Sequence, residues 1–107
     1  MYYIYMLRCE DNSIYTGITT DINRRMEEHF SKDDKCAKYT FRHTAKRLER
    51  VFITETRQDA SKLEYHIKTL KKSQKEDIIK NAKKICYLKD KIDTKIYKTF
   101  KLSRKEF

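Results

Sequence analysis

A chain of 107 residues that spends glycine only once, at Gly17, has very few places where its backbone can be approached closely or bend in a way other residues resist. That glycine closes the tripeptide Tyr15-Thr16-Gly17, and a second tyrosine tripeptide, Tyr3-Ile4-Tyr5, lies just upstream. Tyr2 to Leu7 is a run of aromatic and aliphatic residues, Asp11-Asn12 is turn chemistry, and Ser13 to Thr16 resumes with β-branched and aromatic residues. The pattern predicts a hairpin whose second arm carries the glycine.

Downstream, Thr20 or Asp21 can cap a helix in which Ile22, Met26 and Phe30 recur every fourth residue. At about 100° per residue, Arg25 and His29 fall beside that apolar stripe and Arg24 falls opposite it. Ser31 to Arg50 is polar and irregular, and is expected to be a long loop. Val51 to Ile53 reads as a third strand. Thr56 and Asp59 form a cap for a helix with Ala60, Leu63, Ile67 and Leu70 on one stripe and Glu64 at its edge. Ser73 and Glu76 match a capping box for a third helix carrying Ile78, Ile79, Ala82 and Ile85. This order predicts an α+β fold, a small three-stranded antiparallel sheet flanked by helices. Beyond Cys86, Ile92, Ile96 and Phe100 fit a helix, while Ile92, Thr94, Ile96, Phe100 and Leu102 fit the alternation of a strand. Residues 1–84 are expected to form the main domain and residues 85–107 a basic C-terminal extension of open structure.

The length allows one domain with a modest core. No apolar run approaches the ~20 residues that span a bilayer, and Tyr2 to Leu7 lacks the basic lead-in of a signal peptide, so a cytoplasmic protein without a membrane partner is expected. Cys9, Cys36 and Cys86 are odd in number and widely spaced, and His29, His43 and His66 show no ligand-type spacing. Neither a disulfide framework nor a structural zinc site is encoded. The net charge of +10 is uneven: residues 1–50 hold 10 basic and 8 acidic side chains, residues 51–107 hold 16 and 8. Such a surplus fits a binder of phosphate backbones, and equally a lysine-rich solvated surface.

Five positions in register raise a specific resemblance. Tyr5, Tyr15, Arg25, His29 and Glu64, in that order and at these spacings, resemble the GIY-YIG nuclease superfamily, especially its small stand-alone members, over about residues 1–80. Two departures are mild, Tyr3 in place of the first glycine and Thr16 in place of an isoleucine or valine. A third is larger: many members place an asparagine twelve to fifteen residues after the glutamate, where this chain has Glu76 and Asp77. The resemblance implies a metal-dependent DNA endonuclease that leaves a 5′ phosphate and a 3′ hydroxyl, with Tyr5, Tyr15, Arg25, His29 and Glu64 catalytic and Glu64 the metal ligand. The alternative is a nucleic-acid-binding module on the same fold with catalysis weak or lost.

Phosphodiester hydrolysis needs an in-line nucleophile, an offset for charge on the non-bridging oxygens and help for the leaving oxygen. One carboxylate, Glu64, suffices for a Mg²⁺ or Mn²⁺ ion otherwise held by waters and substrate phosphate. Arg25 offers a planar, permanently charged fork to phosphate oxygens. By resemblance Tyr5 takes the proton of the attacking water, relayed through Tyr15 or His29. His29 is the easier base by its ordinary pKa, and the sequence does not rank the two. Lys38, Tyr39 and Arg42 in the loop, with Lys68 one turn after Glu64, are the candidate nucleic-acid contacts. A chain this short leaves target specificity to the core, the tail or a protein partner.

Overall fold

The computed structural model describes residues 1–31, 39 and 42–101. The elements are β1 (Tyr2–Cys9), β2 (Ile14–Thr19), α1 (Ile22–Ser31), β3 (Ala45–Thr54), α2 (Arg57–Thr69), α3 (Lys72–Lys80), two 3₁₀ segments (Ala82–Leu88 and Thr94–Ile96) and β4 (Lys98–Thr99). All strand pairs are antiparallel, in the order β2-β1-β3-β4. The sheet therefore has four strands where three were expected. The fourth comes from the tail, whose Lys98 and Thr99 pair with Ile53 and Phe52.

β1 is central and buried on both faces. Its alternation sends Ile4 and Met6 one way, into a cluster with Phe52, Leu63, Ile67, Ile78, Ile85, Leu88 and Tyr97. It sends Tyr5 and Leu7 the other way, to meet Ile22, Met26, Ala45 and Val51. So α2, α3 and the first 3₁₀ segment cover one face of the sheet, and α1 covers the other.

The hairpin turns at Asn12, a residue tolerant of the left-handed region, which here adopts φ 69°. Asp21 caps α1, its carboxylate accepting from the Arg24 amide at 3.1 Å. The buried stripe of α1 is Ile22, Met26 and His29, with Phe30 only partly buried. Of the expected loop 31–50, residues 45–50 are strand instead: β3 extends back to Ala45, half-exposed and therefore without the apolar signature of a strand. Its pairing with β1 slips between Met6 and Leu7, where Arg50 and Leu48 are the partners and Glu49 is the extra residue. Glu49 turns to the buried Arg8, whose Nε donates to it at 3.1 Å.

α2 is capped as the sequence indicates, Thr56 Oγ1 accepting from the Asp59 amide at 3.1 Å. α3 is not. Its N-cap is Lys71, two residues before Ser73, with Gln74 accepting from the Lys71 amide at 3.0 Å, and Glu76 instead forms a bidentate pair with Arg8. α3 also stops at Lys80, because Asn81 is extended and its side chain accepts from the Lys83 amide to start the 3₁₀ turn that holds Ile85. In the tail, Tyr97 is buried and its hydroxyl donates to the Asp59 carbonyl at 2.6 Å. Phe100 meets Tyr3 edge-on at 5.1 Å.

Candidate active site

Tyr5 and Gly17 face each other across the β1–β2 pair. A Cβ placed on Gly17 would lie 2.5 Å from the Tyr5 hydroxyl oxygen, 2.7 Å from its Cζ and 3.0 Å from Cε2 of Tyr15. The glycine's φ is not positive, so it is the close approach of two rings, not an unusual backbone angle, that requires it. The lone glycine is the seat of the Tyr5 ring. Tyr15, opposite Leu7, projects to the same face, and the two tyrosine rings lie 6.2 Å apart.

α1 brings His29 onto them. Its ring centroid lies 5.5 Å from each tyrosine, and its Nε2 is 2.8 Å from the Tyr5 hydroxyl. Both partners are enclosed, His29 at 0% and Tyr5 at 1% exposure. Burial, reinforced by the positive charge of Arg25, pushes the His29 imidazole down to about 4. It is therefore neutral at pH 7, and in the tautomer that carries its proton on Nδ1 its Nε2 accepts a hydrogen bond from the Tyr5 hydroxyl. Tyr5 moves the opposite way: burial, and then Tyr15, push its hydroxyl far above the usual tyrosine range, although Arg25 opposes this.

Arg25 lies one turn before His29. Its Nη1 donates to Glu28 at 2.7 Å, and its guanidinium also hydrogen-bonds Tyr5. Burial weakens the cation, but the bonds to Glu28 and Tyr5 outweigh that and keep it charged. Glu28, one turn further on at i+3, is a participant that sequence reasoning missed; the spacing alone could have flagged it.

α2 runs beside the edge strand β2. Its Glu64 is close enough for its charge to bear on Tyr5. Lys68 bridges Glu64 at 3.5 Å and holds its ammonium 5.6 Å from the centre of the Tyr15 ring. A row of rings extends outward from the site: Tyr39 lies 5.4 Å from Tyr15 and stacks on His43 at 4.3 Å. His43 is tied to Asp11 of the hairpin turn. The Ser13 hydroxyl, and then His43, hold the Asp11 carboxyl well below the usual range. His43 too was not foreseen as part of this row. Arg42 is exposed and stands outside it, and Lys38 lies outside the described residues. The structure thus brings together Tyr5, Tyr15, Arg25 and His29, with Glu64 and Lys68 on one flank and Tyr39 on the other.

A model of the GIY-YIG catalytic domain matches residues 1–77. The chain belongs to the GIY-YIG family. This is a nuclease family, and nucleic acid is the ligand class its domain implies. The GIY-YIG chain is also 49% identical to the UPF0213 protein FN1575 of Fusobacterium nucleatum, across 83% of its own length and 85% of that protein's. It is 34% identical to the UPF0213 protein YazA of Bacillus subtilis, across 82% and 90% of the two lengths. The UPF0213 protein BH0048 from Bacillus halodurans, solved by NMR in solution, is 38% identical, covers 75% of this chain and 84% of its own, and superposes with a TM-score of 0.48. Among the described residues, no helix of this GIY-YIG domain is long and apolar enough to cross a membrane.

Proposed function

We propose that the chain is a divalent-cation-dependent endonuclease that hydrolyses phosphodiester bonds in DNA. The observation that carries this reading is the buried Tyr5–His29 hydrogen bond, set beside the Arg25 guanidinium and flanked by Glu64. A neutral imidazole accepting from a tyrosine hydroxyl is poised for a relay. Tyr5 takes a proton from the attacking water only as it passes its own to His29 Nε2, so no free phenolate is needed, and burial makes that phenolate scarce. This gives both candidate bases a role, with Tyr5 as the contact and His29 as the acceptor. Arg25, only partly exposed and already oriented by Glu28, offers its charged fork to the non-bridging phosphate oxygens as charge builds there.

The described residues hold no cluster of three potential metal ligands, and the one carboxylate the resemblance assigns to a metal is Glu64. That donor set fits Mg²⁺ or Mn²⁺, which keep most of their waters and bind through one or two carboxylates and the substrate phosphate. Such an ion would polarise the phosphate and stabilise the leaving oxygen. Tyr39 and Lys68 adjoin the site and suit flanking nucleotides, and Lys38 and Arg42 extend the same reading. Target choice is left to the core surface or to a protein partner.

The test is cleavage of plasmid, flap and branched DNA with Mg²⁺, Mn²⁺ or chelator. We expect metal-dependent nicking that Glu64→Ala abolishes while leaving DNA binding in chelator nearly intact. Binding without cleavage on every substrate would establish instead a nucleic-acid-binding module on the same fold. Glu76 favours that outcome, since it stands where many members place an asparagine and is committed to Arg8.

A further inference from the structure

Glu64, proposed above as the metal carboxylate, is not bare. Its carboxylate is 3.5 Å from the ammonium of Lys68, one helical turn later on α2. An i, i+4 pair of this kind on an open helix surface is unremarkable, but this one is not on an open surface. The Glu64 side chain is only 23% exposed, and the ammonium lies over the ring of Tyr15, a tyrosine of the site. The Lys68 side chain is 49% exposed, so its ammonium has room to leave. A second ammonium, Lys75 on α3, is near enough that, after burial, the charge of Lys68 is what lowers its pKa. Lys68 is thus the ammonium paired with the Glu64 carboxylate, and Lys75 adds a second positive charge beside Lys68.

Resting on the endonuclease reading, we propose that Lys68 is a tethered placeholder cation: it occupies Glu64 in the free protein, must be displaced by the divalent ion, and then turns to the substrate phosphate. The charges make the coupling obligatory. A divalent ion approaching the Glu64–Lys68 pair meets a neutral couple with an ammonium facing it, whereas without Lys68 it meets a net negative carboxylate. DNA reverses the balance, because its phosphate gives the released ammonium a new partner and supplies the ion with a second anionic ligand. Metal and DNA each tighten the other's binding, by the same factor in both directions. Lys75 adds to this, since repulsion between the two ammoniums favours movement of Lys68 toward phosphate.

The experiment is titration of the folded full chain with Mn²⁺ alone, without DNA, read by the loss of the free-ion electron paramagnetic resonance signal. Wild type, Lys68→Met, Lys68→Gln and Glu64→Gln are compared, with circular dichroism to verify folding. Both Lys68 variants should bind Mn²⁺ roughly tenfold more tightly than wild type, and both should bind DNA more weakly in chelator. Two changes at Lys68 guard against one variant failing to fold. If neither Lys68 variant gains affinity over a wild type that Glu64→Gln weakens, the placeholder role is overturned and the metal site stands. If Glu64→Gln binds Mn²⁺ as well as wild type, the metal assignment itself fails, and the inference falls with it.

Discussion

His29 is the residue whose surroundings most alter its chemistry. An imidazole near 4 in the folded chain and near 6.5 when unfolded stays neutral in the fold while the unfolded chain takes up a proton. Its contribution is therefore fully present above about pH 6.5 and is lost as pH falls from there toward 4. The loss is on the order of 2–3 kcal/mol. Urea unfolding midpoints at pH 7.5, 6 and 4.5 should fall for the wild type, and His29→Gln should remove most of that fall. An equal fall in the variant would mean that other groups carry it. Asp11 and Glu76, both held low, act only nearer pH 4 and below, so they do not account for a fall that begins at 6.5. The five candidate positions could be read from the sequence because their order and spacing carry the family resemblance. The condition of Tyr5 and His29 could not, because burial from two elements at once leaves no local mark in the sequence.

At the scale of elements, α1 converts position along a helix into orientation toward the sheet. Arg25 is partly buried beside Tyr5, and Arg24 points to solvent. Arg25→Ala should lower turnover by roughly 10²-fold or more, while Arg24→Ala should alter it only slightly; single-turnover cleavage rates check both. Equal losses would mean general attraction to phosphate. Period and caps announced α1 and α2 well, since one apolar stripe and one capping side chain determine each, and β1 was announced by its continuous aromatic and aliphatic run. β3 and α3 were misread for one shared physical reason. The first half of β3 earns its place through backbone pairing and the Arg8–Glu49 contact, not through apolar side chains, and Glu76, which looked like half of a capping box, serves the same Arg8. A polar hub joining β1, β3 and α3 is invisible to a reading made one segment at a time.

For the whole molecule, the charge surplus and the tail are separate matters that the sequence alone merged. Tyr97 is buried, Phe100 packs on Tyr3, and Lys98–Thr99 is part of the sheet, so deleting the tail would damage the fold before it revealed any contact with DNA. Lys89, Lys91, Lys95 and Lys98, however, are exposed. Changing these four to Gln should keep the melting temperature within a few degrees, weaken DNA binding and flatten its dependence on salt between about 50 and 200 mM. An unchanged slope would move the phosphate grip elsewhere. β4 has a consequence of a different kind. It is only two residues long and carries a lysine, yet it pairs with Phe52 and Ile53 in a β-prone stretch of the chain, Val51 to Thr54. Without it that stretch would present an unpaired backbone edge, the template on which one chain adds to the next. A protein ending before Lys98 should then associate side by side, with light scattering rising as concentration does, so this short charged strand acts as a guard against self-assembly.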